Sequence, residues 1–181
     1  MYLTIPGIGG SGPDHWQSLW ESAEPEFARI EQEDWDRPDL AVWTDRAQAV
    51  LSERHGPAIL VAHSLGCLMV PHLAALPPHV TARVVGALLV SMPDPVASAF
   101  PKQEAATFVT IPKERLPFPV LVVASANDPF GSVAHARDHA VAWGGRCVEI
   151  GDFGHINAQS GLGAWPEGRR LLEAFRAGLA V

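Results

Sequence analysis

Ala58-Ile59-Leu60-Val61-Ala62-His63-Ser64-Leu65-Gly66 is the stretch on which the fold turns. Its first five residues are apolar without alternation, as in a strand covered on both faces. A helical pattern begins at Leu65 and runs to about Leu76. Ser64 therefore stands at a tight strand-to-helix turn, with small residues two before it (Ala62) and two after it (Gly66). That is the pattern of a nucleophilic serine on a strained turn, with Ala62 in place of the usual first glycine. Such a turn holds the hydroxyl clear of the sheet. It also aims the Leu65 N–H, at the positive end of the helix, towards any oxyanion formed there. Ser-x-Gly before a helix is equally an ordinary cap, so the surrounding chain has to decide.

Working outward, apolar runs recur at residues 2–5, 27–31, 58–62, 84–90, 120–124 and 147–150, and most are β-branched. Amphipathic stretches separate them. In 39–54, Leu40, Trp43, Ala47, Val50 and Leu51 form one stripe, and Gly56-Pro57 stops the helix. Residues 132–143 read as a helix ended by Gly144-Gly145, and the last helix starts at Pro166 and runs to about Leu179. This order predicts a three-layer α/β/α domain over residues 1–181, with an open, mostly parallel sheet of about six strands. Pro71 should kink the helix after Ser64. Residues 92–119 hold Pro93, Pro95, Pro101, Pro112, Pro117 and Pro119. Two readings stand for that loop: a cover over a sheet edge, or a wall or lid near the pocket.

Composition narrows the function classes. The 181 residues are 48% hydrophobic and 18% charged, enough to fill a core. A net charge of −7 argues against a nucleic-acid partner, which would need a surplus of Lys and Arg. No apolar run approaches the roughly 20 residues of a membrane span, so no membrane association is expected. No Lys or Arg precedes Arg29, which leaves no basic start for a signal peptide, and a cytoplasmic location is expected. Cys67 and Cys147 make neither a disulfide framework nor a zinc set. No cofactor or metal is called for.

A serine nucleophile needs a base, and the base an orienting acid. In an open parallel sheet these lie beyond the carboxyl ends of strands. The run 120–124 leads into Ser125-Ala126-Asn127-Asp128-Pro129-Phe130, and 147–150 into Gly151-Asp152-Phe153-Gly154-His155-Ile156-Asn157. Ser64, Asp128 and His155 thus follow in an order that suits a catalytic triad. Asp94, just past the fourth run, is the rival acid, and Asp152 could orient the histidine loop.

With these residues in view, the chain resembles the small serine hydrolases of the α/β-hydrolase superfamily, in particular the retinoblastoma-binding-protein/YdeN-type family. Four segments carry the resemblance: Pro6-Gly7-Ile8-Gly9-Gly10-Ser11-Gly12-Pro13-Asp14-His15-Trp16, Ala62-His63-Ser64-Leu65-Gly66, Asn127-Asp128-Pro129 and Gly154-His155-Ile156-Asn157. It implies a minimal α/β-hydrolase fold, the triad Ser64, Asp128 and His155, and hydrolysis of small carboxylic esters or amides without a cofactor. The family name raises retinoblastoma binding through Leu-x-Cys-x-Glu. Here Leu65-Gly66-Cys67-Leu68-Met69 ends in methionine, so no such partner is expected.

The glycine loop has two readings. Gly7-Ile8-Gly9-Gly10-Ser11-Gly12 satisfies the dinucleotide-binding G-x-G-x-x-G, and Glu31 lies where a ribose-binding acid would sit. In the hydrolase reading the same loop supplies a second oxyanion donor, the Ile8 N–H, and accounts for the Ser64 turn as well. A catalytically inactive binding protein on a hydrolase scaffold is a further alternative. Gly9, His15, Trp16 and Trp165 are candidates to line the pocket; Trp35 and Trp165 read equally as core. His63 should point away from the serine and serve structure. His135 and His139, at i and i+4, lack a third ligand and read as a solvated helix face. Cys67 reads as a small buried apolar residue.

Overall fold

The computed structural model describes residues 1–54 and 56–179. Six strands, β1 (Tyr2–Ile5), β2 (Phe27–Arg29), β3 (Ala58–His63), β4 (Val84–Val90), β5 (Val120–Ala124) and β6 (Arg146–Glu149), form one sheet in the order β2-β1-β3-β4-β5-β6. Every pairing is parallel. The chain runs outward from β1 to β2, then crosses back to β3 and proceeds the other way. The direction reverses between β1 and β3, and ligands of open α/β sheets bind beyond the carboxyl ends of the strands at such a point.

The pleat sorts apolar residues to two faces. Leu3, Ile5, Leu60, Ala62, Leu89 and Val122 belong to one core cluster, with Trp43, Ala47 and Leu51 of α2 (Leu40–Glu53) and Ala136 and Ala140 of α5 (Val133–Ala142). Tyr2, Ile59, Val61, Leu88 and Val123 belong to the other, with Trp16 and Trp20 of α1 (Trp16–Ala23) and Leu172 of α6 (Pro166–Ala177). Because both faces are covered, the strands show no polar alternation in sequence.

Two local expectations change, and the open question over residues 92–119 is answered. The helix after Ser64 does not reach Leu76 as one element: α3 spans Leu65–Met69, and the turns tighten to a 3₁₀ helix over Val70–Ala75. Pro71 lies in the first turn of that 3₁₀ helix, where its missing N–H leaves no vacancy in a ladder. A short α4 (Pro78–Thr81) then leads into β4.

Residues 92–119 form a strap sewn into the first core cluster. Phe100, Ala105, Phe108, Leu116 and Phe118 are buried, and the Phe108 ring meets Trp43 edge-on at 5.3 Å. The Trp143 indole N–H donates to Pro112 O at 2.8 Å, and the backbone N–H of Leu40 donates to Thr107 Oγ1 at 3.0 Å. The prolines thus shape a cover for the α2–α5 side. Towards the loop after β5 the strap makes contact through Asp94, whose N–H donates to Phe130 O at 2.8 Å, and through Met92, whose carbonyl lies against Gly131.

His135 and His139 are not solvated. His139 is buried, the two rings lie 4.4 Å apart, and His135 Nδ1 approaches Asp94 Oδ2 at 3.4 Å. Burial lowers the His135 pKa, and the Asp94 carboxylate partly offsets that effect. The sequence shows the i, i+4 spacing but not that the strap covers this face of α5. No group of three or more metal-ligating side chains is found among the described residues. Nor is any helix among them long and apolar enough to cross a membrane.

Candidate active site

Ser64 sits where β3 passes into α3 with φ 53° and ψ −126°. This left-handed backbone is costly for a non-glycine residue and persists only when its surroundings hold it. Its N–H donates to Val90 O at 3.0 Å, and its carbonyl accepts from Cys67 N–H at 2.9 Å. Gly66 explains the small residue two places on: a Cβ there would stand 2.4 Å from Ile5 O and 2.7 Å from Pro6 O. The helix start is therefore pressed against the end of β1. The same approach brings the first loop to the hydroxyl, since a Cβ on Gly7 would lie 3.1 Å from Ser64 Oγ and 3.1 Å from Leu65 N. Neither the Ile8 nor the Leu65 amide donates to a protein acceptor among the described residues.

The three residues drawn from distant loops meet. His155 Nε2 is 2.8 Å from Ser64 Oγ, and His155 Nδ1 lies 3.0 and 2.9 Å from the two Asp128 carboxylate oxygens. An acceptor at Nδ1 fixes the proton there, leaving Nε2 free to accept from the serine. The Asp128 side chain is 2% exposed and the His155 side chain 10%. Asp128 Oδ1 also accepts the Phe130 N–H at 2.9 Å, and the Phe130 ring packs 4.5 Å from the imidazole. Asp94, the rival acid, instead accepts from Val96 N and faces His135. Asp152 is exposed beside the histidine loop.

Sequence reasoning did not find what locks the two loops together. Ser125 Oγ accepts the Phe153 N–H at 2.9 Å and donates to Asn127 Oδ1 at 2.9 Å, and that oxygen also accepts the Gly154 N–H at 2.7 Å. Two side chains preceding Asp128 thus hold the two residues preceding His155. The Asn127-Asp128 pair was visible in sequence, but its hydrogen bonds depend on the β5–β6 pairing and could not be read from it. From below, His63 donates from Nε2 to His155 O at 2.9 Å, and the Trp16 indole N–H donates to Ile156 O at 2.8 Å. Ile156 itself has φ 46°, so the residue after His155 also holds a strained backbone.

The expected pocket residues separate. Gly9 and Ile8 are exposed on the first loop. Trp16 is 1% exposed, with its ring packed at steep angles against Trp20 and Trp165, so it supports the histidine loop and lines no pocket. His15 is likewise buried; its Nδ1 accepts the Gln17 N–H at 3.2 Å as the cap of α1. Its ring lies 4.6 Å from His63. Burial, with the charges of Arg29 and His155, lowers its pKa to about 4. Burial likewise pushes His63 well below the usual imidazole range. Both rings are therefore neutral near pH 7. Trp165, largely core, shows an edge to a hollow beside α6. Trp35 packs over Gly10 and meets Trp43 edge-on at 5.4 Å.

The glycine loop offers no phosphate cradle. The Gly9 N–H is taken by Trp35 O, and the Gly10 N–H by Gly7 O, both at 3.1 Å. Arg29, paired to Glu21 at 2.9 Å, grips Gly10 O and Ser11 O, so carbonyls rather than amides define that side. The dinucleotide reading fails on this geometry.

A serine hydrolase family model matches residues 2–174, and the chain belongs to that family. A YdeN-like hydrolase of Pectobacterium atrosepticum is 34% identical, with a TM-score of 0.80, over 96% of this chain and 89% of the other. The ydeN gene product of B. subtilis is 20% identical, with a TM-score of 0.73, over 97% and 98%. The esterase RhEst1 of Rhodococcus sp. is 16% identical, with a TM-score of 0.65, over 99% and 90%, and shares the fold. No protein among the curated ones matches the chain.

Proposed function

We propose that this serine hydrolase cleaves small carboxylic esters or amides through an acyl-enzyme on Ser64. The observation that carries the reading is the unbroken relay from Asp128 through His155 to Ser64, with contacts of 2.9 and 2.8 Å. Ser64 Oγ attacks the carbonyl carbon while His155 Nε2 takes its proton. The carbonyl oxygen becomes an oxyanion, accepting from the Leu65 and Ile8 N–H groups. One such donor lowers the barrier by about 3 kcal/mol. Collapse breaks the ester bond, and His155 returns the proton to the departing alcohol. Water then attacks the acyl group, with His155 again as base, and the carboxylic acid leaves. Asp128 keeps the imidazole in the required tautomer and stabilises the imidazolium. No cofactor, metal, nucleic acid or protein partner enters this scheme. The test is p-nitrophenyl acetate hydrolysis with mapping of a fluorophosphonate adduct. Ser64→Ala should abolish both turnover and labelling; wild-type turnover by that variant sinks the proposal.

A further inference from the structure

Beyond the triad, the histidine loop separates two hollows. One, of about 390 Å³, opens beside His155 and is bordered by Phe130, Phe153 and Asn157. The other, of about 620 Å³, lies between the end of β6 and α6, lined by Ile150, Phe153, Leu162, Trp165 and Leu171. Its only charged lining groups are Glu167 and Arg170, which are exposed and ion-paired to each other at 2.7 Å. Phe153 is common to both and is 40% exposed, unusual for a large aromatic ring. An apolar hollow of this size is suited to an apolar ligand group.

The direction of the chemistry says which group. His155 Nε2 must reach the leaving oxygen to protonate it, so the alcohol portion of an ester departs on the His155 side of Ser64. Phe153, two residues before His155, borders both the hollow beside the imidazole and the apolar hollow beside α6, which makes the latter the apolar surface reached over that ring.

We infer that the hollow lined by Ile150, Phe153, Leu162, Trp165 and Leu171 receives an apolar alcohol group of the substrate, making esters of medium-chain or ring-bearing alcohols the preferred class. This rests on the proposed hydrolase reading. Arg170 and Glu167 satisfy each other at the mouth, so the bound group carries no charge at its far end. Phe153 acts as the partition over which the alkyl chain bends.

Ethyl acetate and octyl acetate pass through the same acetyl-enzyme, so a difference in kcat/KM reports the alcohol alone. The wild-type protein should prefer octyl over ethyl acetate by at least about tenfold, the scale that buried methylenes supply. Leu171→Trp and, independently, Leu162→Trp narrow the hollow and should each cut that ratio about tenfold. Fluorophosphonate labelling of Ser64 shows that each variant is folded. Equal kcat/KM for the two esters, or labelled variants that keep the wild-type ratio, overturns the assignment while leaving the hydrolase reading intact. Absence of Ser64 labelling in the wild-type protein overturns both. A wild-type dimer that the tryptophan variants dissociate, with the ester ratio unmoved, gives the hollow to a second copy and also overturns the assignment.

Discussion

Adding one methyl group at Gly7 should stop the reaction while leaving the fold standing. Gly7 is not among the glycines with positive φ, so alanine meets no backbone objection there. Its new Cβ would stand 2.8 Å from Ser64 Cβ, 3.1 Å from Ser64 Oγ and 3.1 Å from Leu65 N. Donors serve an oxyanion at about 2.7–3.1 Å, so the methyl carbon takes the place that the negative oxygen needs. Loss of one donor alone costs about 3 kcal/mol, or a hundred- to thousandfold in kcat. The 2.8 Å contact with Cβ adds crowding of the nucleophile. The expected result is at least about a hundredfold lower kcat for p-nitrophenyl acetate, with near-wild-type circular dichroism. Wild-type kcat/KM in a folded Gly7→Ala protein would mean that the oxyanion forms elsewhere and that the Leu65 and Ile8 amides are not its donors.

Other perturbations address the supports. Asn127→Ala removes the acceptor shared by Ser125 and Gly154 and should lower kcat about ten- to a hundredfold with little change in KM, measured by steady-state kinetics. Trp16→Phe orphans the Ile156 carbonyl and should cost about 1–3 kcal/mol in urea unfolding. His15 holds a pKa near 4 when folded, against about 6.5 when unfolded, so the unfolded chain binds the extra proton. Stability contributed by neutral His15 is therefore present above pH 6.5 and drains away towards pH 4, where the loss is on the order of 3 kcal/mol. Urea titrations between pH 7 and 4.5 should show His15→Gln to be less acid-sensitive than the wild type; parallel curves contradict this.

Much of the architecture was legible because burial on both faces writes itself as β-branched runs, and β3, β4 and β5 begin and end close to where the sequence suggests. Edge elements were less so: β2 stops at Arg29 and β6 shifts to Arg146–Glu149, since a strand with one neighbour ends where pairing ends. Ser64, Asp128 and His155 could be chosen because each stands just past a strand on one rim. Their supports could not, because Ser125, Asn127 and His63 act through hydrogen bonds across loops. Trp16 and His15 were placed too near the substrate, since a buried aromatic and a lining one look alike in sequence. The prolines of 92–119 announced irregular chain but not its Phe100 and Phe108 anchors.

The position of β1 has a consequence for how the chain comes off the ribosome. It precedes the other five strands in the chain, yet it lies inside the sheet, with Tyr2 opposite Phe27 on one flank and Ile59 on the other. Until β3 emerges, β1 can acquire only one of its two neighbours, and its other edge stays open to stray strands. The β1–β3 pairing joins residues much further apart in sequence than the β1–β2 pairing does, so it closes a longer loop at a greater entropic cost. The glycine-rich loop after β1 therefore has no serine to face until Ser64 follows β3, and that serine has no imidazole beside it until His155 is made, so the earliest-born segment of the rim waits on the latest one.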